Sequence, residues 1–435
     1  MMFERVAERL RALGCDAWEL TEERRRKWEF YCIRHRLDQN RAVDTTTLEA
    51  KVFRAFEADG KRFLGSAVGE IAPTASESEI DSVLSGLLYQ AGLVQNPWYT
   101  LTDRPVLLPH RTERVDVERI AGDFLRTIRA VPETETEDIN SYEIFVSEVT
   151  RRTENSNGVR YECTYPSSMA EVIVNARRGD REIELYRNFT SGGCDGALLG
   201  RDIAEALRFG RDRLAAEPTP RLEESPVLFS GRDAVELYRW FVDRMSAGYK
   251  VRRFSDWEVG KPVFPWREGD RPTIEAVPWL ENSSCNVPVD REGNEIFPRT
   301  LIREGVAEQF WGSRQFSQYL GLERSSMVYN VAVSGGTGTE ESLRRGDYLE
   351  PVEFSDFQVD PVTGDIAGEI RLAYWHHGGQ TGVVTGGSVS GSMFSAAPSM
   401  TFSHATRQYD SYVIPALTRL ESLRVTGITQ LKKEN

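Results

Sequence analysis

The spacing of hydrophobic positions changes several times along this chain, and each change marks an element. In residues 3–13, Val6, Leu10 and Leu13 fall on one side, which predicts an amphipathic helix. Residues 17–35 are charge-rich, with Trp18, Trp28, Phe30 and Tyr31 spread through them, and predict a pair of strands. Residues 51–71 predict a hairpin, because two apolar-rich runs meet at Asp59-Gly60, a favoured tight-turn dipeptide. Helical spacing then returns twice. Ser76-x-x-Glu79 is a capping box ahead of Ile80, Val83, Leu84, Leu87, Leu88 and Ala91. Val117, Ile120, Ala121, Phe124, Leu125 and Ile128 form the second helix, which Pro132 ends. Between the two, residues 96–110 read as a long proline-rich loop, with His110 an ordinary loop histidine.

From Ile139 the period becomes two. Residues 142–152, 159–166, 169–177 and 182–190 predict a four-stranded antiparallel meander, with one of its turns at Pro166-Ser167-Ser168. A helix follows at 203–214, and Glu217-Pro218-Thr219-Pro220 breaks it. The next stretch is PVLFSGRDAVELYRWFVDRM, residues 226–245. It predicts a short buried strand, a turn at Ser230-Gly231, and a helix. That helix has Val235, Tyr238, Phe241 and Val242 on one face and Arg232, Asp233, Glu236, Arg239 and Asp243 on the other. Beyond it the chain is mostly strand and loop, with a helix expected at 413–423. The fold class is therefore α+β. An N-terminal domain (1–222) packs helices on an antiparallel sheet, and a β-rich C-terminal domain (223–435) follows.

Composition narrows the functions. At 435 residues the chain is long enough for two or three domains of about 150 residues. A formal charge of −13 disfavours nucleic acid and anionic membrane as partners. The charged, amphipathic start is not a secretory signal, and no apolar run has the length to cross a bilayer. The five cysteines are widely spaced and form no CxxC, which fits a reducing cytoplasm.

Four places carry candidate chemistry. His376 and His377 with His404 are candidate metal ligands, with oxygen from Glu369, Asp356 or Asp360. Adjacent histidines on a strand point to opposite faces, so at most one joins His404; the ordinary reading is sheet or surface histidines. Cys194, in Ser191-Gly192-Gly193-Cys194-Asp195-Gly196, is a candidate nucleophile beside backbone donors, or part of a tight strand-to-helix turn. The loop Ser334-Gly335-Gly336-Thr337-Gly338-Thr339 follows a strand and has the form of an anion seat, or of a plain turn. Trp257, Trp266, Trp279, Phe310, Trp311, Tyr374 and Trp375 suit a peptide cleft, a core or an interface.

Several segments, in order, resemble the TldD/PmbA family: SEVTRRTENSNGVRYE (147–162), PVDREGNEIFPRTLIREGVAEQF (288–310), FQVDPVTGDIAGEIR (357–371), GVVTGGSVSGSM (382–393) and SLRVTGI (422–428). The resemblance implies a cytoplasmic, dimeric, two-domain protein related to zinc metallopeptidases that process or degrade small unfolded peptides. In that family one subunit type carries His-Glu-x-x-x-His on the helix after the domain boundary, with a later cysteine completing a zinc site. Here VLFSGRDAVEL (227–237) occupies that place, and Ser230 or Gly231 stands where the first histidine would be. The region 388–394 also lacks the cysteine. The chain thus resembles the metal-free TldE/PmbA type. That implies no catalytic, cofactor or metal residues of its own and zinc only in a TldD-type partner, with the chain forming a homodimer or a heterodimer. The alternatives are a self-sufficient hydrolase using His376, His377, His404 or Cys194, and a homodimeric peptide-binding module. The family's older label, modulator of DNA gyrase, implies no DNA contact for so acidic a chain.

Overall fold

The computed structural model describes residues 2–103, 115–324 and 326–427; His110 and the rest of its loop from 104 onward lie outside them. The N-terminal half is a six-stranded antiparallel sheet in the order β3-β2-β1-β4-β5-β6, where β1 is Ala17–Ile33, β2 Arg36–Ala58, β3 Lys61–Glu70, β4 Glu137–Asn155, β5 Arg160–Arg178 and β6 Arg181–Ser191. Helices α1 (Met2–Ala12) and α2 (Glu77–Ala91) bury Val6, Leu10, Ile80 and Leu84 in one core with Leu20, Leu48 and Val52. Helices α3 (Val117–Ala130) and α4 (Gly196–Leu214) bury Phe124, Ile128, Ile203 and Leu207 against Tyr142, Ile144 and Val172. The capping box at Ser76 and Glu79 forms with both of its hydrogen bonds.

Two expectations for this half are corrected. Residues 17–33 are one long strand, not a pair. Its charges are neutralised across the sheet, by Arg24 to Asp44 at 2.5 Å and Arg26 to Glu148 at 3.0 Å. The strand turns back at Arg34 and His35, both at positive φ (44° and 62°), a conformation that this dipeptide does not advertise. Likewise β5 runs straight through Pro166 instead of turning there, so the meander has three strands. Proline is tolerated because β6 pairs with β5 only from Ser168 onward, leaving β5, among the described residues, with a strand neighbour on one flank at Pro166.

The C-terminal half holds two further sheets. One has the order β11-β10-β9-β12-β19-β18, with β9 Ile274–Val277, β10 Arg299–Arg303, β11 Val306–Ala307, β12 Asn330–Val333, β18 Thr406–Tyr409 and β19 Tyr412–Pro415. The other has the order β13-β8-β20-β16-β14-β15-β7. Its strands are β7 Glu217–Pro218, β8 Leu222–Phe229, β13 Tyr348–Val359, β14 Asp365–His377, β15 Gln380–Thr385, β16 Ser388–Ser392 and β20 Thr418–Thr426, and β17 (Thr401–Phe402) pairs with β20. Helix α5 (Ala234–Arg244) sits in the core with residues of both sheets and buries Tyr238, Trp240 and Phe241 almost completely. It is therefore buried around most of its circumference, more than a two-faced pattern predicts. Leu372 of β14 joins the core of the N-terminal half, which ties the two halves together.

The helix expected at 413–423 is instead β19 and β20. The pairing of β20 with β8 shifts between Leu420 and Leu423, and Ser422 has φ 59°. This bulge adds a residue, so Leu420 and Leu423 both face inward three positions apart and imitate a helical period.

Candidate functional site

The start of α5 opens into a cavity of about 700 Å³ between the two halves, walled by β6, α4, the turn before α5, β13, β14 and β18. The chain reaches it because β8 delivers Phe229 into the core and then turns at Ser230-Gly231, placing Arg232 and Asp233 on the rim. The lining is dominated by opposed charges. Arg187 of β6 pairs with Glu353 of β13. Arg232 donates to the Asn188 carbonyl oxygen and lies 3.7 Å from Asp202 of α4. Arg344 holds Glu350 with both guanidinium nitrogens, one at 2.9 Å. The Tyr374 hydroxyl donates to Asp212 at 2.6 Å.

Burial sets the electrostatics here. It lowers the Arg187 pKa to about 10, with the like charge of Arg232 as the second cause. It raises the carboxyls of Asp202 and Asp233, against the pull of Arg232. The cavity is thus a lattice of fixed opposite charges with hydrogen-bonding groups at its wall, suited to holding a polar ligand.

The residues singled out in the sequence fall in different places. His376 lines the cavity, stacked on Tyr348 with ring centroids 4.1 Å apart; its Nδ1 is 2.9 Å from the Thr381 hydroxyl. Its Nε2 lies 3.9 Å from Glu350, and burial lowers its pKa. His377 takes a different acid, Asp347 at 2.7 Å, and stacks on Trp375 at the surface. His404 is exposed, in the turn after β17, and does not line the cavity. Among the described residues, no three His, Cys, Asp or Glu side chains gather where they could hold a metal ion. Cys194 precedes the Asp195 cap of α4, and burial pushes its thiol up to about 12, so it stays protonated.

The glycine-rich loop is not an open anion seat. Asp270 already accepts from the Thr337 N–H at 3.0 Å and hydroxyl at 2.8 Å, and from the Phe402 N–H at 2.9 Å. Its glycines let backbones meet, since a Cβ on Gly335 would lie 2.0 Å from the His404 carbonyl oxygen. Of the aromatic set, Trp257 and Phe310 are core. The Trp266 and Trp311 indoles donate to the carbonyls of Gly305 and Val242, and Tyr374 lines the cavity. Trp279 is 52% exposed and borders a second, more apolar cleft of about 650 Å³. The sequence reading missed the arginines and glutamates of the cavity. The one available signal was charge at inward positions of β6 and β13, which a burial pattern alone cannot pair.

Fold and site together define a two-half α+β protein with a charge-lined cavity, in which the helix beside the cavity carries no imidazole. Residues 223–427 match the PmbA/TldA metallopeptidase C-terminal domain. The metalloprotease PmbA of Escherichia coli O157:H7 is 25% identical over 236 residues, 52% of this chain, and the match spans only 51% of that relative's length. The crystal structure of TldE from Thermococcus kodakarensis superposes with a TM-score of 0.75 at 14% identity, covering 98% of this chain and all of that one. Residues 223–427 of this chain thus carry the C-terminal domain of the TldD/PmbA family.

A metal is implied by the family's description, and the residues present do not fit one. Where α5 begins stand Arg232 and no imidazole, the carboxylates Glu350 and Glu353 are taken by Arg344 and Arg187, and no three ligand side chains gather among the described residues.

Proposed function

We propose that this chain is the metal-free subunit of a peptidase assembly that processes or degrades small unfolded peptides. In this reading it contributes a charged cavity wall and a docking surface, and the zinc belongs to a TldD-type partner. The observation that carries the reading is the start of α5, where Ser230, Gly231 and Arg232 stand and Arg232 is already bound to Asn188 and Asp202. Cytoplasmic location fits the reduced cysteines, and no helix among the described residues is long and apolar enough to cross a membrane. The charge of −13 argues against nucleic acid as a partner.

The test is co-expression with a family member that carries His-Glu-x-x-x-His. The expected result is a complex that cleaves an unfolded peptide, in which metal analysis finds zinc only in the other chain. Near-stoichiometric transition metal in this chain purified alone would overturn the reading.

A further inference from the structure

The second cleft, of about 650 Å³, is apolar within and has a buried positive charge behind one wall. Trp279, Val287, Ile296 and Phe297 reach it from the C-terminal half, and Cys163 and Tyr165 reach it from β5. Arg151 of β4 stands directly opposite Cys163 in the ladder, so the two side chains share a face of the sheet. The Arg151 guanidinium carbon lies 5.8 Å from the Tyr165 ring, and the residue is 5% exposed.

A buried guanidinium is costly unless a negative charge compensates it. The groups acting most strongly on Arg151 are Tyr165, Tyr329 and Cys163, all kept neutral because burial raises them. Its Nε has no hydrogen-bond partner among the described residues. Glu23 stands opposite Arg151 on β1, the flank away from β5, and pairs with Arg25 at 3.3 Å. The positive charge is therefore uncompensated on the side toward the cleft.

A donor also stands in the cleft itself. Asn282 lines it at φ 57°, and its side-chain amide makes no hydrogen bond among the described residues, while its backbone carbonyl accepts from Gly192 at 2.6 Å. The charged lining residues are exposed: Arg119 and Glu295 pair with Asp123 and Arg324, and Glu281 faces solvent. An apolar interior with a free amide and a buried cation behind its wall suits an anion that carries an apolar body.

We propose that this cleft binds a small monocarboxylate with an aromatic or branched aliphatic body, at a site separate from the charged cavity. The body packs on Trp279 and Phe297, Asn282 donates to the carboxylate, and the Arg151 charge favours the anion. The two clefts share no lining residue. A free organic acid and the C-terminal residue of a peptide present the same chemistry.

The probes are phenylbutyrate and acetylated valyl-phenylalanine, each compared with its uncharged amide. They are titrated calorimetrically into the isolated chain, so failure here is distinguishable from failure of the proposed assembly role. The expected result is saturable binding in which the acid exceeds its amide by about tenfold. Binding of both acids assigns the site to organic acids in general, and binding of the peptide acid alone assigns it to a peptide terminus. Trp279→Ala should weaken binding by about tenfold, with the fold confirmed by an unchanged melting profile. Arg151→Gln should bring the acid down to the affinity of its amide; the acid–amide comparison on the unaltered chain stands without that variant. Equal affinity of acid and amide, unchanged binding in Trp279→Ala, or no binding up to about 10 mM would each overturn the proposal.

Discussion

Two buried polar junctions join the halves of this protein, and they handle charge in opposite ways. In the cavity beside α5, carboxylates meet guanidiniums: Glu350 with Arg344, Glu353 with Arg187, Asp202 with Arg232. At the other junction, Glu19 of β1 meets Asp290 and Glu292 of the C-terminal half; the cations facing them include Lys51, 3.4 Å from Glu19, and Arg299, which interacts with Asp290. Asp290 is fully buried and relies on N–H groups of Glu292, Asn294 and Met327. Arginine stays charged at every physiological pH, so the first junction is fixed. Carboxylates crowded without enough cations must share protons, so the second titrates.

The largest effect is expected where a fixed pair is broken. Arg344→Ala leaves the Glu350 side chain, 7% exposed, without its guanidinium. Removing one partner of a buried pair leaves an uncompensated charge, and a loss of about 3 kcal/mol is expected in urea unfolding. Replacing both residues, with Arg344→Met and Glu350→Leu, should recover most of it. If the single variant costs nothing, the cavity charges are solvated and the lattice description is wrong.

The acidic junction should show itself through pH. Burial, the largest cause, raises Glu19 to about 7 and Asp290 to about 6, with the neighbouring Glu292 adding to both. A folded pKa above the unfolded one means the native state holds the extra proton. Stability from this source is complete below the unfolded value and is lost as pH rises through about 7. Unfolding free energy should therefore fall by on the order of 1–2 kcal/mol between about pH 5 and pH 8. Glu19→Gln should flatten most of that slope, because a neutral amide cannot titrate. An equal slope in the variant would place the titration elsewhere.

The same contrast explains what the sequence could disclose. Local signals were readable: the Asp59-Gly60 turn, the Ser76 capping box, and the helical spacing of α2 and α3 all form as the residues suggest. Signals failed where pairing supplied the decisive fact. Pro166 reads as a turn until β6 is seen to pair with β5 only from Ser168 onward. Leu420 and Leu423 read as helix until the bulge at Ser422 is seen. The missing imidazole on α5 was plain, but the charge lattice in its place joins residues as distant as Arg187 and Glu353. The acidic junction likewise joins Glu19 to Asp290 across most of the chain, and no spacing rule links such positions.

The histidines and Cys194 lie outside both charge systems or at their margin, and the smallest effects are expected from them. His376 stacks on Tyr348 and sits 3.9 Å from Glu350, already satisfied by Arg344, so His376→Ala should cost about 1 kcal/mol, mostly lost ring contact. His377 is 60% exposed on the other face of β14, and His377→Ala should change stability by less than about 0.5 kcal/mol. Cys194→Ala removes a thiol that burial holds protonated and should leave peptide cleavage by the assembled complex unchanged. Cleavage measured with all three variants decides between a supporting wall and a hidden hydrolase. If any one of them abolishes cleavage while its melting temperature stays within a few degrees of the parent, the chemistry belongs to this chain after all, and the matched charges of the cavity would have to be read as substrate binding instead of scaffold.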